Sequence, residues 1–457
     1  MNGLTRRTTT NRTRRRGALA LLAFGAVAAL TGCSAGGGNA ADGEFGFPQV
    51  EQEAGSTITV WVDAERSSAV DAFKAAHPDI AVKAESYDGS ANGSNSFRTK
   101  MQLFDRSGSG WPDVVFSTQN NDASWASQTT NGKQAFAAKL DGGLVADDVI
   151  SDFADGALDP CTVDGSVYCL RNDLAQVVLW YNAKLMDQFG YDVPTTWEEY
   201  QELGEKVAEE HPGYIIGTAG DAWTPEVYFW ASKCGANGVT SASDVTVDAT
   251  SDECARAATM LDDLRENGTV PAVSVFTPQF VSEYAGKVLM APGPAWYSGA
   301  VFQSPDSLAL PAGELGVAAP LAWEGEEPVT GNVGGGTWFV SSHSKNLEAA
   351  TEFAQFVTTS DDYQVETSPG YPAYTPAAEN WLAKQEASGY FATPLAPVTQ
   401  AATTIWDGWG SGSFSQEAIW AKTVTPAVAG GKTLEELLPT WQKAIEDQAR
   451  VNGYTVR

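Results

Sequence analysis

The sequence predicts an α/β fold, a sheet of parallel strands with helices packed on its faces. Two observations predict it. From Ser56 onward, short β-rich runs alternate with amphipathic helices in the order βαβαβ, and a return in the same direction needs a crossover. At 457 residues, 43% hydrophobic and 19% charged, the chain is also long enough for two or three domain-sized cores.

Thr57–Val62 alternates β-branched and aromatic residues and reads as the first strand. Ser67–Ala76 follows as a helix, with Val70, Phe73 and Ala76 at helical spacing and His77-Pro78 ending it. Ile80–Ala84 is a second strand, and a helix through Phe97–Phe104 leads to a short buried strand, Asp113–Phe116. Val177–Tyr181 is another apolar strand. Thr196-Trp-Glu-Glu199 is a capping box opening a helix with Trp197, Tyr200, Leu203 and Val207 on one face. Tyr214–Ile216, Val288–Met290 and Trp338–Val340 read as strands, and Leu347–Val357 as a helix. A second capping box, Thr433-Leu-Glu-Glu436, opens the last helix, whose Leu434, Leu437, Leu438, Trp441 and Ile445 form a stripe. Trp197, Trp338, Trp381 and Trp441 read as packing residues.

The first 32 residues are of another kind. Six arginines and no acid form a basic head before the apolar run Gly17–Leu30, too short to span a bilayer but laid out like a secretory signal. Leu30-Thr-Gly-Cys33 resembles the lipobox of bacterial lipoproteins, which implies an acylated Cys33 (diacylglyceryl, palmitate) as the new N-terminus. Residues 33–55 read as a flexible tether, since Ser34–Pro48 is rich in Gly, Ala and acids. The chain is expected to be exported and held at the outer face of the cytoplasmic membrane. Removal of the signal lowers the basic side chains from 28 to 22 against 57 acidic ones. Such a field repels nucleic acid and anionic ligands.

Four cysteines remain, at 161, 169, 234 and 254, in an export context that permits disulfides. Local pairing, Cys161–Cys169 and Cys234–Cys254, is expected among three connectivities. Asp164-Gly165 forms a hairpin turn that brings the first pair together. There is no CxxC and the histidines, 77, 211 and 343, are scattered, so no metal is expected. No cofactor motif occurs either.

Five short blocks in order resemble the family 1 extracellular solute-binding proteins, the maltose-binding-protein-like group. They are Val60-Trp-Val62; Trp111-Pro-Asp-Val-Val-Phe116; Leu179-Trp-Tyr-Asn182 with Pro194–Glu199; Phe280 through Gly286-Lys-Val-Leu-Met290 to Trp296; and Gly334–Gly336 with Ser344-Lys-Asn346. The resemblance covers roughly residues 56–450. It implies a two-lobed periplasmic-binding-protein fold of the class II type with the ligand in an inter-lobe cleft. Residues 56–172 with 330–368 would form the N-lobe and 173–329 with 369–457 the C-lobe. It also implies a monomeric, non-enzymatic substrate-binding subunit of an ABC importer, with a carbohydrate, in particular an oligosaccharide, as ligand and permease subunits as partners.

A sugar offers an apolar C–H face to aromatic rings and a rim of hydroxyls to polar side chains. Residues leaving strand ends are therefore the candidates. Asp63, Glu65 and Arg66 follow the first strand; Gln119, Asn120 and Asn121 follow the strand at Phe116. Asp221 and Trp223 lie in a Gly-rich loop. Trp296 and Tyr297 follow Gly293-Pro294, where the family places a stacking Trp. Gly335 would let backbone approach the ligand, and Trp406, Asp407 and Trp409 form a polar-aromatic cluster. No GxSxG, HExxH, P-loop or GxGxxG occurs, and no carboxylate pair stands out for catalysis. The rival readings are a secreted carbohydrate-active enzyme, the same fold holding a cation such as a polyamine, and a surface adhesin or sensor.

Overall fold

Ile58–Val62 pairs in parallel with Val82–Ser86 on one side and Val114–Ser117 on the other, as βαβαβ alternation requires. The computed structural model describes residues 43–88, 96–129, 133–241 and 243–457. The basic head, the apolar run and Cys33 lie outside the described residues. Helices Ser67–Ala76 and Ser96–Ser107 make the two crossovers and bury Val70, Phe73, Phe97 and Met101. The second strand starts two residues later than its sequence suggests, because Ile80 N–H closes a turn on the His77 carbonyl at 3.1 Å. Two remote segments complete this sheet: Thr337–Val340, antiparallel to Val114–Ser117, and Leu170–Arg171 at the edge.

A second lobe is built on Val177–Asn182, which pairs antiparallel with Met290–Pro294 and Leu315–Ala318. Met290–Pro294 is an edge strand, which tolerates the missing N–H groups of Pro292 and Pro294. The strand expected at 288–290 is thus displaced downstream. The one expected at 214–216 reduces to a single bridge, Ile215 to Val288. A further sheet of the same lobe joins Gly235–Val239, Asp244–Asp248 and Thr455–Val456. The first capping box forms in both directions, Glu199 N–H to Thr196 Oγ1 at 3.1 Å and Thr196 N–H to Glu199 Oε2 at 3.3 Å. At the second, Thr433 caps Glu436, while Asp262 from a neighbouring helix accepts from the N–H groups of Leu434 and Glu435. The stripe from Leu434 to Ile445 is buried, as are Trp197, Trp338, Trp381 and Trp441.

Three segments run side by side between the lobes. Asp173–Leu174 pairs with Tyr371–Pro372, Gln176 bridges Asn332, and Val333 N–H reaches the Ala175 carbonyl at 2.9 Å. The buried Arg171 ties two of them, donating from Nη2 to the Gly334 carbonyl and from Nε to the Asp173 carbonyl at 3.1 Å. Gly335, at φ +92°, fits here because a Cβ would meet Arg171 and the Asp173 carbonyl. Its smallness serves this crossing.

Both expected disulfides, Cys161–Cys169 and Cys234–Cys254, are present. The described part of the expected tether is docked instead of free. Phe47 is buried, Glu53 N–H bonds the Lys345 carbonyl at 2.6 Å, and Gln52 Oε1 accepts from Leu347 N–H at 3.0 Å. Reading 33–55 by its Gly and acid content overlooked the apolar Phe45 and Phe47.

Candidate ligand-binding cleft

A cavity of about 1400 Å³ opens between the lobes at the crossing segments. Asn120 and Ser124 line it from the first lobe, Trp230, Trp406 and Trp409 from the second, and Asn332 and Tyr371 from the crossings. The volume lies above the usual range of about 300–1,000 Å³ for small-molecule pockets, which leaves room for more than one sugar-sized ring.

The aromatic wall has a definite construction. Trp230 and Trp409 stack at 5.2 Å and 10°, and Trp230 Nε1–H donates to the Trp406 carbonyl at 2.7 Å. Trp406 remains partly exposed on the cavity side, beside the exposed carboxylate of Asp407. Gly408 is required next to it, because a Cβ there would collide with the Trp406 indole. The sequence cluster at 406–409 is therefore brought to the cavity as a unit. Trp230, Asn332 and Tyr371, which join it, were not among the residues singled out from sequence; their only signal is a position near a crossing.

At one end of the cavity the lobes touch. Gln119 Nε2 donates to Glu417 Oε2 at 3.1 Å and Ser415 Oγ donates to Gln119 Oε1 at 3.1 Å. Asn121 Nδ2 donates to the carbonyls of Gly412 and Phe414, at 3.0 and 2.9 Å, and Arg98 reaches the Ser413 carbonyl at 3.2 Å. Behind these contacts lies a small well of about 20 Å³, lined by Gln119, Asn120, Asn121, Glu226, Asn237 and Gln416 among others. Of the expected ligand residues, Gln119, Asn120, Asn121, Trp406, Asp407 and Trp409 thus surround one connected space.

The others do not line it. Asp63 and Arg66 form an ion pair at 3.3 Å, Arg66 lies over the Phe116 ring at 4.6 Å, and Glu65 is exposed. Trp296 donates to the Val333 carbonyl at 2.9 Å and stacks on Phe276 at 5.9 Å and 10°. Trp223 Nε1–H donates to the buried Tyr297 hydroxyl at 3.1 Å. Asp221 is buried beneath them and accepts from Val275 N–H at 3.3 Å; burial pushes its carboxyl up to about 7. The family resemblance places a sugar-stacking Trp at this position; here Trp296 is partly exposed, holds these local partners and does not line the cavity.

Among the described residues no group of three or more metal-ligating side chains comes together, and no helix is long and apolar enough to cross a membrane.

Comparison with known proteins gives a consistent picture. A family model described as bacterial extracellular solute-binding protein matches residues 50–364. An arabinooligosaccharide-binding protein of Halalkalibacterium halodurans is 23% identical over 220 residues, covering 47% of this chain. The chain spans 48% of the length of that relative, about half. The fold is similar to that of an ABC transporter-associated binding protein of B. animalis subsp. lactis in complex with beta-1,6-galactobiose. That match has a TM-score of 0.71 at 20% identity, over 89% of this chain and 100% of the other. It is equally similar to the galacto-N-biose-/lacto-N-biose I-binding protein of Bifidobacterium longum, with a TM-score of 0.70 at 21% identity over 89% and 100%.

Proposed function

Because the chain belongs to the bacterial extracellular solute-binding proteins, we propose that it captures a carbohydrate, more than one ring long, and delivers it to the permease of an ABC importer. The observation that carries this reading is the tryptophan wall of a polar inter-lobe cavity. Trp406 on the stacked pair Trp230–Trp409 offers indole surface to a sugar's C–H face, and Asn120, Asp407 and Asn332 offer donors and acceptors to its hydroxyls. The relatives named for arabinooligosaccharide, galactobiose and lacto-N-biose support an oligosaccharide. Closure brings Gln119, Asn121 and Arg98 onto the loop at 412–417 and shuts the ligand in.

In this reading Cys33 carries the lipid that keeps the protein at the membrane beside its permease, and the chain works as a monomer without catalysis. The test is a thermal-shift screen over mono- and oligosaccharides, followed by calorimetry, because a ligand that binds only the folded state raises the melting temperature. Oligosaccharides are expected to raise it more than monosaccharides. No shift with any saccharide rejects the reading; turnover of a bound oligosaccharide by the purified protein makes it an enzyme.

A further inference from the structure

The well behind the lobe contact holds buried acceptors without donors. Its hydrogen bonds fix which atoms these are. Gly410 presents a carbonyl, which only accepts, so Asn237 must turn its Nδ2 toward it, at 2.6 Å. That leaves Asn237 Oδ1 to accept from Gln416 Nε2, at 3.0 Å. Gln416 Oε1 is then left over, buried and without a partner among the described residues. Gln416 is 5% exposed and Glu226, also on the well, is 6% exposed; Glu226 Oε2 is likewise without a partner. Glu226 and Glu417 form a hydrogen-bonded carboxyl pair, which demands a shared proton.

The lining itself supplies an acid and no base. No lysine, arginine or histidine lines the well among the described residues. Asp221, earlier on the loop that leads to Glu226, feels the Glu417 charge as well. Across the lobe contact Asp122 is engaged by Ser117 and Trp125, and Arg98 is turned to the Ser413 carbonyl. Tyr228, on the element carrying Glu226, donates to the Thr218 carbonyl at 3.2 Å. Burial, and then the neighbouring Glu417, hold the Glu226 carboxyl well above the usual range.

We propose that this well is a subsite for the protonated amino group of an amino-bearing saccharide, whose rings lie in the adjoining tryptophan-walled cavity. The proposal rests on the carbohydrate reading above. An ammonium has three donors and no acceptor, which matches a site with two spare acceptors beside a carboxyl pair. About 20 Å³ admits one small polar group or one water and no ring. The well and the cavity share Asn120, Trp230, Trp409, Gly410 and Ser411, so a ring against the indoles can reach in with a substituent. When the ammonium enters, the proton shared by Glu226 and Glu417 leaves to solvent, and the carboxylate becomes its counter-ion.

The test uses the full folded domain and disaccharides supplied in matched forms that carry a hydroxyl, a free amine or an N-acetyl group at C2 of each ring, for example cellobiose, the glucosamine dimer and its N,N'-diacetyl form. Calorimetry is expected to show a free-amine form binding about tenfold or more tighter than its hydroxyl form near pH 7, the order of a charge-assisted bond. Repeating it in buffers of different ionisation enthalpy should show proton release, and affinity should weaken as pH falls and the pair regains its proton. Glu226→Gln should remove the amine preference without lowering the melting temperature, and Gln416→Leu should reduce it from the opposite wall. Hydroxyl forms binding as tightly as amines, or an amine preference that survives Glu226→Gln, overturns the subsite and leaves the carbohydrate reading standing. Failure of every form to bind also overturns the subsite, while the carbohydrate reading is rejected only by the full saccharide screen.

Discussion

Two groups of aromatic side chains lie against the crossing segments, and they have been put to different uses. In the first, Trp230 and Trp409 stack on each other and back the partly exposed Trp406, which faces the cavity. In the second, Trp296, also partly exposed, is held by its own neighbours. Phe276 stacks on it, Trp223 meets it edge-on at 6.0 Å, and the Val333 carbonyl takes its N–H. Trp406 and Trp409 rise on a loop whose Gly408 and Gly410 leave room for the Trp406 indole and for Val239, where a Cβ would collide. The second sits over a buried polar floor of Asp221 and Tyr297. An indole offers a ligand surface only where its face is left free.

Removing one ring from each group separates their roles. Trp406→Ala is expected to cost a bound oligosaccharide about tenfold or more in affinity, in keeping with loss of an aromatic anchor. Trp296→Ala should change affinity less than about threefold and instead lower thermal stability, since it empties a packed site and frees the Val333 carbonyl. Calorimetry and melting curves on both variants decide it. A larger binding loss at Trp296 than at Trp406 reverses the roles assigned to the two groups.

A second difference is electrostatic. Asp407 beside the first group is exposed, whereas Asp221 beneath the second is buried and raised from 3.8 to about 7. An acid raised in the folded state holds its proton more tightly folded than unfolded. Its stabilisation is full below about pH 4 and is lost as pH rises from there to about 7, by on the order of 4 kcal/mol. Asp221→Asn removes this slope. The melting temperature of the variant relative to the parent should therefore climb between pH 4.5 and 7.5, whatever their offset at low pH. A constant difference across that window contradicts the burial-driven shift.

The same two groups show which parts of the molecule were legible in the sequence. Helix starts and strand alternation are set by neighbours a few residues apart, so the capping box at Thr196, the stripe from Leu434 and the crossovers from Ser67 and Ser96 could be read directly. The hairpin disulfide was legible for the same reason. The Trp406–Trp409 cluster was legible because polar and aromatic residues alternate with glycine there. Trp230 and Asn332 were not, since what brings them to the cavity is pairing with segments distant in sequence. The fate of Trp296 was decided by Val333 and Phe276, and the Glu226–Glu417 pair by the packing of two helices nearly two hundred residues apart. Tertiary partners of this kind leave no local period to detect.

A third difference concerns the lobe contact that closes the first group's cavity. Gln119 bonds Glu417 and Ser415, and Asn121 bonds two carbonyls of the facing loop. Each hydrogen bond exchanges for one to water on opening, so its net worth is about 1 kcal/mol. Asn121→Ala removes two of them from the closed state and none from either lobe's core. Affinity for the oligosaccharide should drop by about fivefold to thirtyfold if both bonds count fully, and by less where water replaces them. The melting temperature without ligand should hardly move. X-ray scattering should then show a larger radius for the ligand-free variant than for the parent. An unchanged radius together with unchanged affinity means the contact does not bias closure, and the first group would owe its enclosed cavity to the crossing segments alone.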